Sequence, residues 1–280
     1  MSLPGDLVTA DWLERNLDQV VVVDCRWYLD GRSGRSAYET GHIEGAVFAD
    51  LDTDLSGPPG PEGRHPLPSP AAFAAAMERL GISSDSQVVA YDDLGSMVAG
   101  RLWWMLDSLG VSAAVLDGGL ASWDGGLATW DSGLKRHEVN RDPGTFTETP
   151  WPPDRYATAD DVAASDASIV VLDARSQARF AGQPNDIDPR FGHIPGARNA
   201  PFANNTGTDD RFVSPAELRE QFTRLGVASD TEVIAYCGSG VSACSNLLAL
   251  RAAGVGVARL YVGSWSEWGA DEARSVERSV

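Results

Sequence analysis

The chain has 280 residues and a mass of 29.8 kDa, with 43% hydrophobic and 22% charged residues. That is ordinary globular composition, long enough for two domains that each bury a sizeable core. Forty acidic residues against 22 basic ones leave a formal charge of −18, which disfavours nucleic acid and anionic membrane as partners.

In chain order, Met1-Ser2-Leu3-Pro4-Gly5-Asp6 carries neither a basic nor an apolar leader region, so a cytoplasmic location is expected. The β-branched run at 20–23 predicts a buried parallel strand, as do 233–235 and 257–261. Ser69-Pro70 and Ser214-Pro215 each set a capping hydroxyl before a proline at the first helical position. Amphipathic helices are predicted over 70–80 and 215–225, with Gly81 and Gly226 as stops. The most apolar helical stretch, 97–109, is interrupted by Arg101 and Asp107 and is not a membrane span. Residues 131–156 hold Pro143, Pro150, Pro152 and Pro153 with little apolar periodicity and predict an extended linker.

The chain repeats itself. Val20-Val21-Val22-Val23-Asp24-Cys25-Arg26 returns as Ile169-Val170-Val171-Leu172-Asp173-Ala174-Arg175, and Gly41-His42-Ile43-Glu44-Gly45-Ala46 as Gly192-His193-Ile194-Pro195-Gly196-Ala197. Val88-Val89-Ala90-Tyr91 returns as Val233-Ile234-Ala235-Tyr236, and Gly118-Gly119-Leu120-Ala121-Ser122-Trp123 as Gly263-Ser264-Trp265-Ser266-Glu267-Trp268. Order and spacing are kept, so two copies of one α/β domain are expected, each a mostly parallel sheet flanked by helices. Their bounds are 1–130 and 157–280, on either side of the linker.

The one lysine, Lys135, lies in Gly-Leu-Lys-Arg, which suits neither a Walker phosphate loop nor a Schiff base. Cys25, Cys237 and Cys244 form no disulfide framework, and His42, His65, His137 and His193 show no metal spacing. No metal and no organic cofactor is expected. His42 and His193 occur in both copies, as do Arg26 and Arg175, so structural roles are expected for all four. Cys25, and Cys244 within the last long helix, read as buried core thiols, and Trp103, Trp104, Trp123 and Trp268 as core or interface residues.

One strand end differs between the copies. The second has Tyr236-Cys237-Gly238-Ser239-Gly240-Val241-Ser242-Ala243 and then an apolar helix. A glycine-rich turn into a helix start lets backbone N–H groups converge on an anion, and the helix dipole adds to the effect. A thiol at that place is a candidate nucleophile. The first copy has Asp92-Asp93 there and reads as scaffold.

Together these motifs resemble those of the two-domain rhodanese sulfurtransferases, over nearly the whole chain outside the linker. The resemblance implies that Cys237 takes sulfur from 3-mercaptopyruvate or thiosulfate as a persulfide and passes it to cyanide, a thiol or a thioredoxin-like protein. It implies that the N–H groups of Gly238, Gly240, Val241 and Ser242 stabilise thiolate and persulfide. The uncharged loop is similar to that of the 3-mercaptopyruvate enzymes, which implies arginine anchors for a carboxylate. Arg179, which has no twin where Leu29-Asp30-Gly31 stands in the first copy, and Arg190 are the candidates. By the same resemblance Asp52, His65 and Ser239 assist Cys237.

Three other functions compete. A dinucleotide site would fit Gly238-x-Gly240-x-x-Ala243, but no acid stands near Arg259-Leu260-Tyr261-Val262 to hold a ribose. A cysteine phosphatase would need an arginine at position 243, which is Ala. The remaining alternative is a non-enzymatic or protein-to-protein sulfur-relay module.

Overall fold

The computed structural model describes residues 2–124 and 141–279 in full and 127–129 as backbone. Lys135, His137 and the first ten residues of the expected linker lie outside the described residues. The chain forms two compact units. One comprises Met1–Gly57, Pro68–Trp151 and Thr208–Arg211; the other Pro58–Leu67, Pro152–Gly207 and Phe212–Val280.

In the first unit the strands are β1 (Leu7–Val8), β2 (Val21–Asp24), β3 (Gly41–Ile43), β4 (Val47–Phe48), β5 (Gln87–Tyr91), β6 (Ser112–Leu116) and β7 (Leu127–Thr129). The helices are α1 (Ala10–Glu14), α2 (Gly34–Thr40), α3 (Pro70–Arg79) and α4 (Ala99–Ser108). The main sheet is parallel throughout, in the order β1-β6-β5-β2-β4, and β3 pairs antiparallel with β7.

The second unit has β8 (Tyr156–Ala157), β9 (Ile169–Asp173), β10 (Arg198–Asn199), β11 (Glu232–Tyr236) and β12 (Val257–Tyr261). Its helices are α5 (Ala159–Ala163), α6 (Gln177–Ala181), α7 (Pro215–Arg224), α8 (Ala243–Ala253) and α9 (Ser264–Trp268). Its sheet order, β8-β12-β11-β9-β10, is that of the first unit strand for strand, and again all parallel. The repeat in the sequence is thus a repeat of topology.

The strands read as unbroken apolar runs because both faces are covered. On β9, Val170 and Leu172 pack with Leu218 and Phe222 of α7 and Ala249 and Leu250 of α8. Val171 faces the other way, toward Val162 of α5 and Trp265 and Trp268 of α9. Ser69 and Ser214 cap α3 and α7 by accepting the N–H groups of Ala72 and Glu217, and Glu217 completes a capping box.

The twin motifs clamp each sheet to its neighbouring loop. Arg26 grips Asp24 at 2.7 Å and donates to the Gly41 carbonyl at 2.6 Å. Arg175 does the same with Asp173 and the Gly192 carbonyl, at 2.6 and 2.7 Å. His42 and His193 each place Nδ1 2.8 Å from a carbonyl, of Tyr38 and Phe180, and stack on those rings. The structural reading of these four residues holds.

Two segments depart from the sequence bounds. Residues 141–151, in the expected linker, run without regular structure along α3. Phe146 is buried and meets Phe73 edge-on, the Gly144 N–H donates to Glu78, and Trp151 Nε1 donates to the Pro68 carbonyl at 2.8 Å. Pro58–Leu67, inside the first copy by sequence order, belongs to the second unit. Gly63 explains how it is held: at φ +107° its α-carbon lies so close to the Gly263 carbonyl that a Cβ would sit 2.8 Å from that oxygen.

Candidate active site

In the second unit the chain leaves β11 at Tyr236 and enters α8 at Ala243, so Cys237 stands at a strand tip before a helix start. Cys237 is 1% exposed. Its N–H donates to Ser264 Oγ at 3.1 Å, and its carbonyl accepts the Trp265 N–H at 3.0 Å. The Gly238 carbonyl accepts the Ser266 N–H at 2.9 Å. The first two loop carbonyls are therefore committed to α9, which fixes the loop's orientation. Gly240, at φ +73°, makes the turn, and a Cβ there would lie 2.3 Å from the Val262 carbonyl oxygen. Val241 is buried and Ser242 precedes the first turn of α8, their carbonyls accepting from Cys244 and Ser245.

The first unit shows what this loop geometry holds. Asp92 occupies the position of Cys237, and Gly95, like Gly240, is left-handed three residues later. The Asp92 carboxylate accepts four amides: Leu94 and Ser96 at 3.0 Å on Oδ1, Val98 and Ala99 at 2.8 and 2.9 Å on Oδ2. Burial pushes this carboxyl up, and the four amides pull against it. Each oxygen receives N–H donors, so the loop is built around an acceptor group.

His65 and Ser239 meet in the second unit. Nδ1 and Oγ are 2.8 Å apart, with both side chains buried. Arg179, on α6, holds Asp188 through two nitrogens, Nε at 2.9 Å and Nη2 closer still. Asp188 also takes Arg175 Nη1 at 3.3 Å. Burial works against the Asp188 carboxylate, but Arg179 and Arg175 outweigh it and hold the group below the usual carboxylate range.

Arg179 reaches the loop itself: a Cβ on Gly238 would stand 2.9 Å from its Nη2. A second guanidinium nitrogen, Arg64 Nη2, would stand 3.2 Å from the same point. Sequence reasoning passed over Arg64, although its place beside His65 was a usable signal. It also missed Asp188, which fixes Arg179, and Ser264 and Ser266, which fix the loop.

Arg190, Asp52 and the other two cysteines have partners of their own. Arg190 donates to four carbonyls, of Gly269 at 2.8 Å, Trp268 at 3.1 Å, Asp271 at 2.6 Å and Arg274 at 3.0 Å. Its guanidinium is taken up in tying the chain after α9, and the structure groups Arg64, not Arg190, with Arg179. Asp52 belongs to the first unit, exposed, with Oδ2 accepting Trp27 Nε1 at 3.0 Å. Cys244 is wholly buried in α8, with Sγ 3.5 Å from the Gly240 carbonyl oxygen, and Cys25 is wholly buried. Among the described residues no group of three or more His, Cys, Asp or Glu could hold a metal ion, and no helix is long and apolar enough to cross a membrane.

Comparison with known proteins agrees with this arrangement. The model of the rhodanese-like domain matches the chain twice, over residues 9–125 and 158–271. A Pseudomonas aeruginosa protein named "Probable 3-mercaptopyruvate sulfurtransferase" is 45% identical, covering 97% of this chain and 98% of its own length. The 3-mercaptopyruvate sulfurtransferase of Escherichia coli K12 is 37% identical over 96% of this chain and 97% of its own. A crystal structure of an Escherichia coli 3-mercaptopyruvate sulfotransferase superposes with a TM-score of 0.81 at 35% identity, covering 94% of this chain and 99% of that one.

Proposed function

The chain belongs to the rhodanese-like family, and from that premise we propose that its second unit transfers sulfur through a persulfide on Cys237. The protein is a sulfurtransferase: similarity to enzymes of that activity runs the full length, at 37–45% identity. The observation that carries the assignment to Cys237 is the contrast between the two loops. The same turn holds a carboxylate on four amides in one copy and presents a thiol in the other.

With 3-mercaptopyruvate as donor, the Cys237 thiolate attacks the donor sulfur. A new S–S bond forms, the C–S bond breaks, and its electron pair stays on carbon as the enolate of pyruvate, which then takes a proton. With thiosulfate the S–S bond of the donor breaks and sulfite leaves. In the second half-reaction an acceptor thiolate or cyanide attacks the outer sulfur and returns Cys237 as thiolate. The loop amides of residues 238–243 stabilise the anion in both resting and persulfide forms. Ser239, backed by His65, stands to relay the proton. The donor's anionic group is met by Arg179. Arg190 is left out of this clamp because its four carbonyls occupy it. Three free, buried cysteines suit a reducing compartment, and the cytoplasm is the proposed location.

The test is the intact mass of the protein after brief exposure to 3-mercaptopyruvate or thiosulfate, with Cys237→Ser as control. The expected result is one added sulfur atom, absent in the control. Sulfur retained by Cys237→Ser, or no sulfur from either donor, overturns the assignment.

A further inference from the structure

Ser264, the first residue of α9, keeps a backbone conformation that serine disfavours. Its φ is +53°, and among the described residues Ser96 and Asp210 are the other non-glycine residues at positive φ. A side chain in that left-handed region costs free energy, and such positions persist where their surroundings demand them. The residue is wholly buried. Its hydroxyl is engaged twice, donating to the Tyr261 carbonyl at 2.8 Å and accepting the Cys237 N–H at 3.1 Å.

The first unit supplies the comparison. Gly119 stands at the matching place in the repeat, also at φ +53°, where a glycine carries no side-chain strain. In both units the next residue donates its N–H to the loop, Leu120 to the Asp92 carbonyl at 2.9 Å and Trp265 to the Cys237 carbonyl at 3.0 Å. A Cβ on Gly119 would lie 2.3 Å from the Asp92 carbonyl oxygen, so a serine could not fit beneath the loop as the first unit holds it. The second unit holds a serine there at the same φ, so the Cys237 backbone is seated around that side chain. The copy with the thiol thus differs from its twin at two contacting positions, Cys for Asp and Ser for Gly. The second change adds strain that the twin avoids.

With the Cys237 N–H held by Ser264 Oγ and its carbonyl held by the Trp265 N–H, both peptide groups flanking the Cys237 α-carbon are fixed. The direction of the Cα–Cβ bond is fixed with them. The Ser264 proton is committed to Tyr261, so the oxygen presents a lone pair to the Cys237 N–H. We propose that Ser264 is a positioning residue for sulfur transfer: its strained backbone is retained because its hydroxyl, acting through the Cys237 N–H, aims the thiol for attack on the donor sulfur. This rests on the sulfurtransferase reading above and adds a residue that acts on the chemical step without touching the donor. A misplacement of about 1 Å at reacting atoms is enough to slow a reaction about a hundredfold.

The experiment uses the full-length protein with Ser264→Ala and Ser264→Gly. Both variants lose the hydroxyl, but only glycine also relieves the left-handed backbone, so Ser264→Gly should melt at a higher temperature than Ser264→Ala. With 3-mercaptopyruvate, kcat should fall by about tenfold to a hundredfold in both variants alike, because each has lost the aim of the thiol. KM should stay within about threefold of the parent, because the contacts to the donor are untouched. A kcat within about twofold of the parent in both variants overturns the proposal. So does a kcat that follows Tm, kept in Ser264→Gly and lost in Ser264→Ala, which would mark Ser264 as merely structural. A raised KM at unchanged kcat overturns it as well. Each of these results leaves the persulfide reading standing, provided the parent protein gains sulfur on Cys237. If the parent gains none, both fall together.

Discussion

His65 Nδ1 stands 2.8 Å from Ser239 Oγ, although the two residues are 174 positions apart in the chain. Both are buried, and Ser239 is two residues from Cys237; in the proposed cycle the pair moves a proton as the carbon–sulfur bond of 3-mercaptopyruvate breaks. Ser239→Ala and His65→Ala should each lower kcat for 3-mercaptopyruvate by about a hundredfold. The double variant should be little worse than either single one, because the two act as a unit. Steady-state kinetics checks this, and effects that multiply would show that the residues act separately.

Two glycines in the Cys237 loop should fail in different ways. Gly240→Ala puts a side chain at φ +73° and drives it to 2.3 Å from the Val262 carbonyl oxygen, a backbone atom that cannot swing aside. The left-handed conformation alone costs about 1–2 kcal/mol, so Tm and persulfide formation should both drop. Gly238→Ala meets only the ends of Arg179 and Arg64, which are flexible. Its stability should stay within about 1 kcal/mol of the parent while donor KM rises roughly tenfold through displaced guanidinium groups. Thermal melts alongside donor kinetics distinguish the two.

Much of this was legible in the sequence, for identifiable reasons. The parallel sheets were visible because 170–172 and 233–235 are apolar at every position, as strands covered on both faces must be. The capping serines, the stop glycines and the duplicated Asp-x-Arg pairs are local patterns, so spacing alone reveals them. What escaped notice depends on long-range placement. Arg64 and Gly238 come together only because Pro58–Leu67 packs within the second unit, and no local periodicity encodes that. Arg190 looked available by position, yet its four carbonyl acceptors come from the last residue of α9 and the chain beyond it, residues 268–274. The path of residues 141–151 was likewise hidden, because Phe146 and Trp151 pack without a repeating pattern.

Asp92 is predicted to be a stability residue of the first unit. Removing its carboxylate with Asp92→Ala leaves four buried N–H groups without an acceptor, each of which costs about 1–3 kcal/mol. A loss of more than about 3 kcal/mol is expected after partial relaxation and solvation of the loop. Asp92→Asn keeps one accepting oxygen and should lose about half as much. Urea unfolding of both variants checks the order. Equal stability for Asp92→Ala and the parent would remove the anion-holding role assigned to this loop.

The Arg179–Asp188 contact makes a prediction about pH whose sign is fixed by Asp188. Its carboxyl is held below the ordinary carboxylate value, so the unfolded chain binds a proton at higher pH than the folded one does. The stabilisation is therefore fully present above the unfolded value of about 4 and fades as pH falls through the lower folded value. Asp188→Asn should be less stable than the parent by about 3 kcal/mol at pH 7, because the wholly buried Arg175 and the half-buried Arg179 lose their shared partner. The gap should stay constant from pH 8 down to about pH 5 and close progressively below about pH 4. Urea midpoints of the two proteins across that range provide the measurement. A gap that widened toward acid would mean that Asp188 is protonated more readily in the folded state, which its two arginine partners oppose.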